Sequence, residues 1–271
     1  MALFAAEHYL LIGLYTFALA LATVNIWRIL VKQRRYKTLP LLAFYICAFI
    51  AIALRWIYTI VIYTAFNWKY SVDDCFLVAK LSTGLIQSWM TFEIALRERR
   101  TYQQDAAAIS TESFEQRVKC GQFSVIFAAL AFIVFALICD LTGISVIHEN
   151  YDVEVTIFAY SYLVMFLLMA SVQILLILIL RQKRQAALFR SSESTYELRK
   201  ESCILNAIMF FFELSYLSRF SWDMYEMNSE RSEYYYVIGY DASLYFDVLP
   251  FIGLLLLHHS NFKQRHLEHK E

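Results

Sequence analysis

Seven long apolar stretches divide this chain, at about residues 8–31, 39–66, 74–96, 120–143, 155–180, 202–221 and 239–259. Each is long enough as a helix to cross a hydrocarbon core of about 30 Å, which takes about 20 residues. Lipid offers no partners to free backbone N–H and C=O groups, so spanning segments are helices or strands of a closed barrel. A barrel needs segments of about ten residues that alternate in polarity, and the chain has none. The expected fold is all-α: a single seven-transmembrane helix bundle over residues 1–271, a multi-pass integral membrane domain whose first partner is the lipid bilayer.

The basic residues orient it. Of 24 Lys and Arg, nearly all fall on alternate connections: Arg28 to Lys37, Arg97 to Lys119, Arg181 to Lys200, and the tail from Lys263. Only Lys69 and Arg231 lie on the opposite side, which is acidic instead, with Asp73, Asp74, Glu149 and Glu154 among others. Positive loops are retained in the cytoplasm, so the N-terminus is expected outside and the C-terminus inside. The formal net charge of zero thus covers a strongly polarised molecule. Its basic face suits anionic lipid, at about 1 kcal/mol per nearby Lys or Arg, or a cytoplasmic protein partner. Nothing in the pattern points to nucleic acid.

The first eight residues have no basic n-region, and no small-residue cleavage pattern follows the first apolar stretch, so that stretch is expected to act as its own insertion signal. Aromatic residues crowd the outer boundary, from Tyr63 and Trp68 to Trp222, Tyr225 and Tyr240, as interfacial belts do. The five cysteines show no metal-ligand spacing. Cys75 and Cys139 lie at a similar outer depth and could pair, although buried thiols packing as small hydrophobes are the expectation.

Ionisable residues inside the stretches are the sharpest functional signal, because a charge at membrane depth costs about 2.5–3.5 kcal/mol on insertion scales. Six occur: Arg55, Lys80, Glu93, Glu213, Arg219 and Asp247. Counting from the loops, all but Glu93 fall in the outer half. Charges of both signs at one level predict a polar, outward-facing cavity lined by Arg55, Lys80, Glu213 and Asp247, with Arg55 and Asp247 as a pair and Glu213 as the next carboxylate in reach. Arg219 is expected to snorkel outward. Glu93 and Arg97, one turn apart, are expected to pair at the inner boundary. Pro250 follows Asp247 by three residues and is a candidate kink.

Catalytic chemistry is missing. The last stretch has no lysine for a retinal Schiff base, and the histidines His258, His259, His266 and His269 cluster at one end without a partner motif. No Gly-rich phosphate loop or nucleophile elbow is present. The expectation is no enzyme, no cofactor and no metal.

Three motifs carry a family resemblance. Arg55 ends an apolar second stretch after a basic loop; Phe92-Glu93-Ile94 precedes basic residues as the third stretch exits; Asp247-Val248-Leu249-Pro250 lies in the seventh, with Arg219 ending the sixth. The chain resembles the plant tobamovirus-multiplication proteins and their animal orphan relatives, which are similar to G-protein-coupled receptors. The resemblance implies an N-out, seven-helix, receptor-like membrane protein. The chain departs from receptors in lacking Asp-Arg-Tyr after the third stretch and Asn-Pro-x-x-Tyr in the seventh, which leaves G-protein coupling by the usual switch without support. A receptor-like protein signalling or scaffolding through its basic loops is the leading expectation. A faint likeness between the second and sixth stretches, each with an arginine near its outer end, allows a small transporter of three-plus-one-plus-three helices. A noncatalytic subunit of a larger membrane complex is the third reading.

Overall fold

In the computed structural model the described residues are 2–32, 39–61, 69–102, 111–142, 151–187, 194–228 and 245–256. All are helical. The helices are α1 (Ala2–Trp27), α2 (Leu39–Val61), α3 (Lys69–Tyr102), α4 (Thr111–Thr142), α5 (Tyr151–Ala187), α6 (Ser194–Asn228) and α7 (Tyr245–Leu256). A π-helical turn, Arg28–Lys32, continues α1. Three segments are long and apolar enough to cross a membrane: Tyr9–Val31, Leu39–Ile60 and Thr156–Gln182. The Tyr245–Leu256 helix is apolar but shorter.

The described helices overrun most of the apolar stretches. α3 begins at Lys69 and ends at Tyr102, and α6 runs from Ser194 to Asn228. Once a helix is nucleated each further residue adds a hydrogen bond at little cost, so polar flanks are drawn into the coil. Pro40 is the second residue of α2, where a missing N–H breaks no bond. Pro250 is buried inside α7, and the helix continues on both sides of it.

α3 is the central element. It packs against α2, α4 and α5, while α1 lies on α2 and α6 on α5. α7 is tied in from several sides: the Asn25 amide of α1 donates to the Leu255 carbonyl at 3.1 Å, and the Phe251 ring meets Phe212 of α6 edge-on at 5.4 Å. One apolar core runs between the helices, built from Leu11, Phe44, Phe76, Ile86, Phe212 and Leu254 among others.

Polarity is distributed in reverse of a water-soluble fold. Large apolar side chains cover the outside, with Phe127 75% exposed, Val164 64% and Phe211 59%. Arg55, Lys80, Glu213 and Asp247 are buried.

Candidate functional site: an ionic clamp around Asp247

Asp247 sits two residues into α7 and is held by cations from two other helices. Arg55 of α2 donates from Nη2 to Asp247 Oδ2 at 3.2 Å. Lys80 of α3 donates from Nζ to Asp247 Oδ1. The pair that depth counting put forward, Arg55 with Asp247, therefore meets, and Lys80 joins it. Two charges of one sign share a single carboxylate, and the protein spreads the excess over neighbouring groups. The Arg55 guanidinium lies over the Phe76 ring at 4.5 Å and the Tyr58 ring at 5.1 Å, and it hydrogen-bonds the Tyr15 hydroxyl. Lys80 Nζ also donates to the Ser215 carbonyl at 3.3 Å. Its ammonium lies 5.0 Å from the Tyr216 ring and 5.4 Å from the Tyr162 ring. A desolvated cation over an aromatic face gains about 2 kcal/mol, so these rings stand in for part of the lost hydration. Among the described residues, the site thereby draws on every helix except α4.

The side chains expected to line an open chamber are instead packed shut: Arg55 and Lys80 are 0% exposed, Asp247 and Glu213 2%. The aromatic rings occupy the room that water was expected to fill. Glu213 does not join the clamp. Among the described residues it forms no ion pair, and its Oε1 accepts no hydrogen bond. Arg219 is buried and pairs at 3.5 Å with Asp223, one turn further along α6 toward the end expected to face outward.

Local geometry explains how Tyr216 reaches Lys80. Its hydroxyl donates to the Lys80 carbonyl at 2.6 Å, and its ring passes over Gly84, where an added Cβ would meet the hydroxyl oxygen at 2.6 Å and the ring carbon beneath it at 2.9 Å. Glycine is needed here for close approach.

At the other end of α3, Glu93 and Arg97 pair at 3.0 Å, as the spacing predicts, and α4 extends the pair into a network. Arg97 forks onto both carboxylate oxygens of Glu115, at 2.7 and 3.1 Å. Gln122 donates to the second oxygen of Glu93 at 2.6 Å, and Arg100 lies over the Phe114 ring at 4.4 Å. Hydrogen bonds from Arg97 hold the Glu115 carboxyl below the usual carboxylate range, and those bonds likewise raise the Arg97 guanidinium. A depressed carboxyl contributes its stability above the unfolded value and loses it as pH falls through the folded one, so this fork persists at neutral pH and fails in acid.

Sequence reasoning missed Tyr15, Tyr162, Tyr216 and Ser215, since a tyrosine in an apolar helix reads as core or interface. It also missed Glu115, which precedes the fourth apolar stretch. Cys47 and Cys75 are buried and Cys120 is exposed; the side chain of Cys139 lies outside the described residues, as do most of the expected outer aromatic belt, many of the loop cations and the histidine tail. No group of three His, Cys, Asp or Glu able to hold a metal occurs among the described residues.

Compared with protein-family models and with curated proteins, the chain matches none.

Proposed function

We propose that this chain is a seven-helix integral membrane protein, N-terminus outside and C-terminus cytoplasmic. It works as a receptor-like bundle in which the Asp247 clamp governs how the helices stand at the basic inner face. The inverted partition of polarity carries the membrane reading. In water, exposed Phe127 and Phe211 beside sealed Arg55 and Lys80 would reverse the usual preferences of both classes. Against acyl chains both find their favoured side. α3 and α6, which also carry charges within their apolar stretches, turn that polarity inward, onto the clamp and its neighbours.

The receptor-like reading is supported by α3, which bears Lys80 in the clamp and Arg97 in the inner network, about 25 Å apart along the axis at 1.5 Å per residue. A ligand bearing a carboxylate or ammonium group could exchange with one arm of the clamp, free α2, α3 or α7, and shift α3 against α4 at the cytoplasmic end. The basic loops would then present a changed surface to anionic lipid or a cytoplasmic protein. The three motifs that resemble those of the tobamovirus-multiplication proteins agree with such an architecture. The transporter reading gains support from one observation, the buried Glu213 carboxylate, whose Oε1 accepts no hydrogen bond among the described residues.

Cys120, exposed near the inner end of α4, offers the test. An environment-sensitive fluorophore is attached there in a chain carrying Cys139→Ser and Cys203→Ser. Asp247→Asn, which opens the clamp, is expected to shift the emission of the folded, membrane-embedded protein. Identical emission with and without the substitution would mean that the two ends are uncoupled, and the receptor-like reading would be abandoned.

A further inference from the structure

The interface between α3 and α6, on the cytoplasmic side of the clamp, holds buried oxygens that accept no hydrogen bond among the described residues. Gln87 of α3 turns its amide nitrogen to Met209 Sδ of α6 at 3.2 Å and to Thr91 Oγ1 at 3.5 Å. Its Oε1 is buried and accepts no hydrogen bond from any described residue. Glu213 lies one helical turn beyond Met209 on α6, and its Oε1 is in the same position. Residues four apart on a helix have Cβ atoms about 5–6 Å apart, so Glu213 stands one turn along α6 from the methionine that Gln87 touches. The hydroxyls nearby give their hydrogens to their own helix: Thr83 to Ala79 at 2.8 Å, Ser88 to Gly84 at 2.8 Å, Thr91 to Gln87 at 3.0 Å. A hydroxyl so engaged keeps acceptor capacity. All of these side chains are at least 95% buried.

We propose that Glu213 and Gln87 bind one small monovalent cation, a proton or sodium, between α3 and α6. Hard oxygen donors select such cations over the softer transition metals, which favour sulfur and imidazole. One carboxylate fixes the charge: a monovalent cation leaves the interface neutral, whereas a divalent one would leave a buried excess costing several kcal/mol. The other charges around it are already committed. Lys80 on α3 and Arg55 on α2 hold Asp247 of α7, and Arg219 holds Asp223 on α6 itself. The described residues of α1, α4 and α5 add no buried charge, only polar groups such as Asn25 and Gln173. The site does not use the Asp247 clamp, so it stands or falls apart from the receptor-like reading.

A cation that binds only the folded state stabilises it by mass action. The full-length protein in detergent is unfolded thermally in sodium chloride against choline chloride at equal ionic strength, and in choline chloride at neutral against mildly acidic pH. If sodium is the cation, the melting temperature rises with sodium at fixed pH. If it is the proton, the temperature rises as pH falls without sodium. In either arm Glu213→Gln, neutral and of the same shape, is expected to flatten the response. Gln87→Leu keeps the carboxylate and is expected to move the midpoint to roughly tenfold higher cation concentration, the loss of one charge-assisted contact; it decides the matter should the first variant not fold. Flat responses in the wild type, or undiminished ones in both variants, overturn the proposal.

Discussion

A lysine with no exposure to solvent is tolerable only beside an anion, and Asp247 serves Lys80 and Arg55 together. Two magnitudes decide what its loss would do. An ordinary interhelical polar contact in a membrane averages about 0.6 kcal/mol, but stripping one partner from a buried ion pair costs about 3–5 kcal/mol, because the remaining charge stays buried. Asp247→Asn removes the counter-charge of two cations, so the larger figure applies, and it should appear as a fall in unfolding free energy in detergent. Adding Lys80→Met should recover part of that loss, since one stranded ammonium goes with it. A cost near 0.6 kcal/mol for Asp247→Asn would mean the clamp is only another polar contact. The meeting of Arg55 with Asp247 is legible in the sequence because ions at depth must find partners and few are on offer. The tyrosines are not legible: in apolar helices Tyr15 or Tyr162 looks the same whether it faces a cation, the core or lipid. Arg219 is ambiguous for a related reason. A position near a helix end suits both an arginine that reaches solvent and one buried against Asp223, and only the packing chooses.

Among the elements, α3 depends most on close fit. Tyr216 of α6 is wedged over Gly84 with its hydroxyl fixed on the Lys80 carbonyl, and Met165 of α5 stands 3.0 Å from the same Cβ position. The ring is fully buried and has nowhere to swing. Gly84→Ala, ordinarily favourable in a helix by about 1 kcal/mol, is expected here to destabilise by about 1–3 kcal/mol through overpacking. Thermal unfolding in detergent measures it, with Gly13→Ala, where an added Cβ meets nothing within 4 Å, as the control that should not destabilise. If both behave alike, the wedge is not a constraint. The existence of the helices is readable from the apolar stretches, while their ends are not. Hydropathy stops at the charged residues that follow the third stretch, yet α3 continues to Tyr102, where Arg97 and Arg100 find partners on α4 that a linear reading cannot supply.

For the whole molecule, the proposed topology turns on which side the basic loops occupy. Many of those cations lie outside the described residues, so the geometry of α1 to α7 bears on the bundle more than on its orientation. Cys120 gives a direct check: in the same background without Cys139 and Cys203, a membrane-impermeant maleimide should leave intact cells unlabelled and react once they are permeabilised. Labelling of intact cells would invert the orientation. Among the described residues three segments are long and apolar enough to cross a membrane; α3 carries Lys80 and Glu93 within its apolar stretch, and α7 is apolar but shorter. One helix stands apart from the rest. Among the described residues the clamp engages every helix but α4, which is fastened by a serine hydroxyl on the Ala129 carbonyl, by Trp89 lodged against Gly121, by Gln122 on Glu93 and by the Arg97 fork. That fork is 44% exposed, hence weakened by salt and worth up to about 1 kcal/mol. Parting the described residues along the α4 seam would therefore leave Asp247 with both of its cations, so α4 is a wall that can move without opening the clamp.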